Sequence, residues 1–369
     1  MSSTKGRVLV AMSGGVDSSV AAMLLARDGY EVIGVTMRLF SAPDENVARL
    51  NRSCCSIEDV EDARRVCRTI GARHHFMNFE RQFRSHVVDY FVREYERGRT
   101  PYPCLACNDR LKFDFLMQRS NLLDAEYIAT GHYARIQQRQ GSWHLLRGVD
   151  ASKDQSYVLH TLSQAQLTRL LLPIGDYPKS EVRQLAHSGG LCIADKADSQ
   201  DICFIPDGDY RSFIEPRMRK KIPGVIASAD GKVLGRHDGI HSFTIGQRRG
   251  LPLQGGTTRP MYVTAIDPDS GLVTIGPADD LLRDTVTLSS VHWVSGVSPT
   301  GPHRVQARIR YRAHPAFATL TPLASGALVR FDESQRAVTP GQALVFYDGD
   351  EVLGGGTIEL PKRPHDRFA

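Results

Sequence analysis

The sequence predicts an α/β chain in three parts: a doubly wound, mostly parallel sheet, a small central β-rich domain and a C-terminal β-barrel. Two textures carry that expectation. Up to residue 205, strand-like apolar runs alternate with helical ones, the pattern of parallel strands joined by crossover helices. Beyond it Gly and Pro become frequent, helical periodicity disappears, and short β-rich runs separated by turn residues suggest small antiparallel barrels or sandwiches. The expected divisions are 1–205, 206–283 and 284–369.

The elements follow in order. "RVLVAM" (7–12) is a first strand running into a Gly-rich turn. "SSVAAMLLARDG" (18–29) has Ala/Leu helical character and stops at Gly29, suited to a helix C′ position. "EVIGVTMRLF" (31–40) reads as the second strand. "SIEDVEDARRVCRTIG" (56–71) is a helix with Ser56 as N-cap and Gly71 at its end. "HHFMNF" (74–79) is the third strand, and Phe83, Val87, Val88, Phe91 and Tyr95 lie at helical spacing after it. "EYIATGHYARI" (126–136) gives a fourth strand with its loop. Late runs such as "MYVTAID", "RVQARIRYR" and "QALVFYDGDEVLGGGTIE" supply the β-rich tail.

Composition bounds the function. With 369 residues, 41% hydrophobic and 24% charged, the chain is an ordinary soluble globular protein, and its apolar runs are far short of the roughly 20 residues a membrane helix needs. The N-terminus has one Lys and one Arg before a short apolar segment, which fits no signal peptide. Seven cysteines make an odd number for a disulfide framework, so the expectation is a cytoplasmic protein with reduced thiols. A net charge of +5 permits an acidic partner such as nucleic acid. "RSFIEPRMRKK" (211–221) concentrates positive charge and reads either as a solvated linker face or as an RNA contact.

The most specific local motif is "AMSGGVDSS" (11–19), between a strand and a helix. Gly14 and Gly15 let backbone approach a phosphate, Ser13, Ser18 and Ser19 add hydroxyl donors, and the helix start offers free N–H groups to an anion. Asp17 can hold Mg²⁺ or orient a nucleotide. No G-K-[ST] follows, so this is not a Walker loop. It resembles the PP-loop, SGGxDS, of ATP pyrophosphatases, which bind ATP and adenylate a substrate oxygen. On that resemblance Ala11, Met12, Ser13, Gly14, Gly15, Val16, Asp17 and Ser18 form the ATP site.

The second motif is "PYPCLACNDRLKF" (101–113), a C-x-x-C that reads as a metal clip, a redox pair or a nucleophile with a helper. With "CCSIEDVEDARRVC", "ATGHYARI", "KDQSYVL", "DSQDICFIP", "FTIGQRRGL" and "RIRYR" in this order, nearly the whole chain is similar to bacterial tRNA-specific 2-thiouridylases. The resemblance implies ATP-dependent adenylation of the C2 oxygen of the wobble uridine, then replacement of that oxygen by sulfur. Cys203 would carry a persulfide, and Cys107 would attack C2 or resolve the persulfide through a disulfide with Cys203; both need thiolate character, and Cys107 is expected near a helix N-terminus with Arg110 and Lys112 close behind.

The familiar form of this motif has aspartate where this chain has Cys104. That departure opens a second reading, in which Cys104, Cys107 and Cys203 hold a [4Fe–4S] cluster with one open iron. Zinc is a third, weakened by the lack of a second C-x-x-C. The family also implies that Met37 packs near adenine, that Gly131 meets nucleotide, and that His132 meets tRNA. Tyr102, Pro103 and Cys104, the loop Lys153, Asp154 and Gln155, and the positions Arg310, Tyr311, Arg312 and Gln342 complete the expected tRNA contacts. As a strand, "RIRYR" would place Arg308, Arg310 and Arg312 on one face. Implied partners are the Lys, Glu and Gln tRNAs and a sulfur donor such as a cysteine desulfurase or relay protein. Two other classes remain: a different PP-loop ligase, such as a GMP or argininosuccinate synthetase, and a non-catalytic RNA-binding protein.

Overall fold

The computed structural model describes residues 4–40, 57–197, 202–205, 208–254 and 259–359. The adjacent Cys54 and Cys55 and the expected N-cap Ser56 lie outside these residues.

The chain runs through β1 (Arg7–Ala11), β2 (Glu31–Arg38), β3 (Arg73–Asn78) and β4 (Tyr127–Ala129), leaves through a hairpin of β5 (Ala134–Arg139) and β6 (Ser142–Arg147), and returns as β7 (Leu170–Leu171). The order β3-β2-β1-β4-β7 is parallel at every pairing. Strands covered on both faces have continuous apolar runs, as "RVLVA" and "EVIGV" do. On one face pack α1 (Val16–Arg27) and α2 (Ile57–Thr69), through Val20, Ala21, Ala63 and Val66. Phe83, Val87, Phe91, Leu111 and Leu116 fill the other face, from helical segments on either side of residue 100. The sheet is doubly wound as expected. Chain order reverses between β1 and β4, and such reversals open a crevice at the carboxyl ends of the strands.

Four strands form the central sheet: β8 (Gly224–Ser228), β9 (Val233–His237), β10 (Tyr262–Ile266) and β11 (Val273–Gly276), in the order β10-β11-β8-β9. It is not purely antiparallel, because β11 runs parallel to β8. The long connection after β9 lets the β10–β11 hairpin come back beside β8 in the same direction.

The C-terminal strands are β12 (Leu282–Trp293), β13 (His303–Arg308), β14 (Ala316–Leu323), β15 (Gly326–Arg336), β16 (Ala343–Asp348) and β17 (Glu351–Glu359). They pair as β12-β15-β14-β13-β16-β17, and β17 pairs back to β12, which closes a six-stranded barrel around Val286, Leu320, Val329 and Phe346. The β5–β6 hairpin adds to β17 and extends the barrel's sheet into the N-terminal part. Val345, Tyr347 and Val352 belong to the same buried cluster as Leu9 and Phe91, so the barrel docks through a shared apolar core.

One expectation about the barrel is corrected. The strand ends at Arg308, and residues 309–312 form a turn, so Arg308, Arg310 and Arg312 do not share a strand face. Ile309 is buried in the barrel core, while the Arg308 guanidinium folds back to donate to the carbonyls of Tyr311 and Ala313. Among the described residues no helix is long and apolar enough to cross a membrane.

Candidate active site

The Ser13–Ser19 turn lies between β1 and α1 at the carboxyl end of β1. Gly15 is the N-cap of α1, with no side-chain cap, so the first-turn N–H groups of a twelve-residue helix have no intrahelical acceptor. Gly14 has φ +73°, and a Cβ there would stand 2.3 Å from the Asp59 carbonyl oxygen. The loop therefore rests directly on the start of α2, which only glycine permits. The Ser18 hydroxyl accepts from the Ser13 N–H at 3.1 Å, and the Ser19 hydroxyl donates to the Gly15 carbonyl at 2.7 Å. Both serines are buried, so here they hold the loop's shape instead of facing outward as ligand donors.

Met12 also differs from a lining residue. Its side chain is buried against the Cys67 thiol at 3.3 Å, and its N–H donates to Val35. Ala11 is half-buried at the strand end, Val16 is buried, and Met37 belongs to the apolar core at the end of β2.

The loop after β4 forms the opposite wall of the switch point. A Cβ on Gly131 would lie 2.6 Å from the Ser18 nitrogen, so β4 exits directly against the first turn of α1. His132 accepts or donates through Nδ1 to the Thr130 hydroxyl at 2.7 Å, and its ring lies 6.2 Å from that of Phe113. Burial, with Lys112 adding to it, lowers the His132 pKa to about 3, so the ring is neutral at neutral pH.

Sequence reasoning missed the residues that organise Asp17. Its Oδ1 accepts from the Tyr133 hydroxyl at 2.7 Å and from Lys179 Nζ at 2.7 Å. Tyr133 is in turn clamped by Gln155, whose side chain accepts from the Tyr133 N–H at 3.0 Å and whose own N–H donates to the Tyr133 carbonyl at 2.8 Å. The expected loop 153–155 thus reaches the Ser13–Ser19 turn through one tyrosine. Lys179 opens the helix Lys179–Ser188. A cation at a helix start opposes the macrodipole, and that local misfit was the available signal.

The cysteine helix begins at Pro103, with Tyr102 as N-cap, and Pro103–Cys107 continues through a π turn, Asn108–Lys112, into Phe113–Leu122. Cys104, not Cys107, occupies its first turn, which corrects the expected placing of Cys107 at the helix N-terminus. Cys107 is buried; Cys104 and Cys203 are half-buried and pack against the cluster that contains Cys107. Asn108 is buried beside Cys107, donates to the Val158 carbonyl at 3.2 Å, and leaves its Oδ1 without a partner. Cys203 is fixed by its neighbour: the Phe204 ring lies 5.4 Å from Phe83, 5.5 Å from Phe91 and 5.1 Å from Phe213.

All three cysteines expected to hold iron are described, and none is in a disulfide. Among the described residues no three His, Cys, Asp or Glu side chains converge as a metal site. The thiols in this arrangement do not converge as ligands of a cluster or of zinc.

The tRNA candidates divide. Tyr102 and Tyr311 stack, with centroids 6.0 Å apart and planes at 22°, and Tyr157 packs edge-on to both. Burial, followed by Cys104, to which Tyr102 is hydrogen-bonded, raises the Tyr102 pKa far above its ordinary range. Asp154 is buried; it accepts from the Gly148 and Ser156 N–H groups and pairs with Arg308 at 3.1 Å. Gln342 donates to the Thr100 carbonyl at 2.8 Å, tying the barrel to the chain just before Tyr102. Arg310 and Arg312 are exposed on the turn, Lys153 is half-buried, and Pro103 is buried. Arg217 covers the Phe213 ring at 4.1 Å; burial, then the nearby Arg84 guanidinium, lowers its pKa.

Three family profiles match nearly the whole chain: a tRNA methyl transferase HUP domain over 6–207, a tRNA methyl transferase PRC-barrel domain over 211–277, and an aminomethyltransferase beta-barrel domain over 283–358. The chain is 48% identical over 361 residues to tRNA-specific 2-thiouridylase MnmA 1 of Thermoanaerobacter sp., covering 97% of this chain and 99% of that protein. It is 50% identical over 356 residues to tRNA-specific 2-thiouridylase MnmA of Moorella thermoacetica, covering 95% and 99%. Among solved structures, a 4-thiouridine synthetase–RNA complex with bound ATP overlaps at a TM-score of 0.36 and 19% identity, over 58% of this chain and 50% of that one, too distantly to carry weight. With a parallel sheet bearing the Ser-Gly-Gly-Val-Asp-Ser turn, a central β domain and a closed barrel, the chain belongs to the tRNA-specific 2-thiouridylase family.

Proposed function

We propose that this protein is an ATP-dependent tRNA sulfurtransferase that converts the wobble uridine of Lys, Glu and Gln tRNAs to 2-thiouridine in the cytoplasm. The observation that carries the reading is the pairing of an anion-ready loop at the switch point with two thiols, Cys107 and Cys203, packed into one core on the same side of the sheet as Met37.

ATP lies with its phosphates on the Ser13–Ser18 backbone and the start of α1. Asp17, a single carboxylate at the loop, suits Mg²⁺, which is usually held by one or two carboxylates together with substrate phosphates. The bound ion would neutralise charge on the pyrophosphate. Lys179, already drawn to Asp17, supplies a second positive charge there.

The uridine O2 attacks the α-phosphorus, the bond to the β-phosphate breaks, and pyrophosphate leaves. A sulfur donor, a cysteine desulfurase or a relay protein, has loaded Cys203 as a persulfide. Its terminal sulfur attacks C2, and AMP departs with the original oxygen. The Cys107 thiolate then attacks the Cys203 sulfur, releasing 2-thiouridine and leaving a Cys107–Cys203 disulfide, which an external dithiol reduces. The target base must leave its stack to reach buried Cys107, and the Tyr102–Tyr311 pair offers an aromatic surface beside that path. Arg310, Arg312, Arg217 and Arg84 are suited to backbone phosphates around it.

The test is thiolation of transcribed tRNA with Mg-ATP and either sulfide or a desulfurase with cysteine, read by retardation on a mercury gel. Wild type is expected to give 2-thiouridine, and Cys107→Ser and Cys203→Ser none with the desulfurase. No product from wild type under either sulfur source would defeat the proposal.

A further inference from the structure

Lys196 joins three parts of the molecule and has no role in the mechanism above. Its Nζ donates to the Gly14 carbonyl at 3.0 Å, to Asp59 Oδ1 at 2.6 Å and to Asp62 Oδ2 at 2.6 Å. Asp59 and Asp62 belong to the first two turns of α2, the surface on which Gly14 rests. Burial opposes the charge on Lys196, but the hydrogen bonds to Asp59 and Asp62 outweigh it and raise its pKa, so it stays protonated.

The Gly14–Gly15 peptide is trans. In a trans peptide the carbonyl and the N–H point in opposite directions. With the carbonyl held by the Lys196 ammonium, the Gly15 N–H points away from α2 and its two carboxylates. A flipped peptide would exchange that donor for a carbonyl oxygen, which repels phosphate.

The other end of the loop is held by the same assembly. Arg183 donates through Nη1 to the carbonyls of Ala194 and Lys196, each at 3.1 Å. Arg183 lies one turn along the helix that begins with Lys179, and Lys179 holds Asp17. A closed circuit therefore runs from Gly14 through Lys196, Arg183 and Lys179 to Asp17.

We propose that Lys196 is a positioning residue of the nucleotide site, orienting the Gly14–Gly15 peptide so that its N–H faces the phosphates of ATP. The inference rests on reading the loop as the ATP site. A purely electrostatic role is separable from orientation, because Arg65 already pairs with Asp62 at 2.5 Å. Removing Lys196 and the Asp62 charge together leaves the local charge balance unchanged while deleting the donor to Gly14.

The decisive experiment measures Mg-ATP affinity of the full chain by calorimetry without tRNA, for wild type, Lys196→Met and the double variant Lys196→Met/Asp62→Asn. Thermal melts and tRNA thiolation run in parallel. Both variants are expected to bind ATP at least tenfold more weakly. Wild-type affinity in the double variant would overturn orientation as the mechanism, and wild-type affinity in the single variant would overturn any role for Lys196. If the single variant fails to fold, the charge-balanced double variant decides alone; if that also fails, Lys196→Arg decides, with restored charge but lowered affinity expected and unchanged affinity overturning the claim. A wild type that binds ATP yet never thiolates tRNA would count against the proposed function and not against this inference.

Discussion

Lys179 Nζ and Asp17 Oδ1 are 2.7 Å apart although 162 residues separate them in the chain, and the Tyr133 hydroxyl donates to the same oxygen at 2.7 Å. On the proposed reading of the loop as the ATP site, a buried lysine held there meets charge developing on departing pyrophosphate. Removing one such preorganised group typically costs about 10²–10³ in rate. Lys179→Met is therefore expected to lower single-turnover thiolation by about that factor, and Tyr133→Phe, which keeps the ring and loses one neutral hydrogen bond, by about tenfold. A Lys179→Met enzyme within threefold of wild type would remove this lysine from the chemistry.

Gly131 marks the closest approach between the two walls of the switch point. A methyl group there meets backbone, the Ser18 nitrogen at 2.6 Å and the Asp17 carbonyl carbon at 2.7 Å, which no rotamer change relieves. Gly131→Ala must push the β4 loop away from α1 and is expected to destabilise the fold by about 1–3 kcal/mol and to weaken ATP binding more than tRNA binding. Separate titrations with the two ligands check this; equal losses would mean a general loosening.

Much of this organisation was legible in the sequence because it is local. The apolar runs of β1 and β2, the Phe83–Tyr95 spacing and the Ser13–Ser19 turn each carry their own signal. What was not legible depends on distant chain. Two-residue β7 is too short to register a period, and the β5–β6 hairpin reads as N-terminal sequence yet extends a sheet completed by β17. Arg308 fits a strand pattern, but its guanidinium is claimed by Asp154, which the sequence places 154 residues earlier. Lys179 and Lys196 escaped because they belong to no motif of their own, and Tyr133, although inside "ATGHYARI", because the partner of its hydroxyl, Asp17, lies 116 residues away in the chain.

The Arg308–Asp154 pair gives a stability prediction. Asp154 is buried and Arg308 is mostly covered where the barrel meets the N-terminal part, and Arg308 also lies over the Tyr157 ring. Removing one member leaves an uncompensated charge, a loss of about 3–5 kcal/mol for a buried pair. Arg308→Met should lower the denaturation midpoint clearly, and Arg308→Met/Asp154→Asn should recover part of it. A double variant no better than the single would show that Asp154 is not the source of the penalty.

Acid sensitivity follows from His160. It is buried, with Nδ1 against the Tyr157 carbonyl at 2.8 Å, and burial lowers its pKa from 6.5 to about 4, against the opposing pull of that carbonyl. Between these values the unfolded chain binds a proton that the folded chain refuses, so stability falls as pH drops from 6.5 toward 4, by on the order of 3 kcal/mol. His132, lowered to about 3, acts in the same direction. Chemical denaturation across this window should show a shallower pH slope for His160→Gln than for wild type; parallel slopes would place the titration elsewhere.

Cys104 separates the relay from the cluster. It lies in the first helical turn, hydrogen-bonded to Tyr102, while Cys107 is buried one turn further on. In the relay, Cys104 touches neither the persulfide nor the disulfide, so Cys104→Ser should retain thiolation within about fivefold, whereas Cys107→Ser and Cys203→Ser should lose it with a desulfurase as donor. Iron and acid-labile sulfide, measured on anaerobically purified protein, should be far below one cluster per chain. About four irons per chain, lost together with activity in Cys104→Ser, would instead mean that the three thiols rearrange around a cluster and that sulfide on the open iron replaces the persulfide.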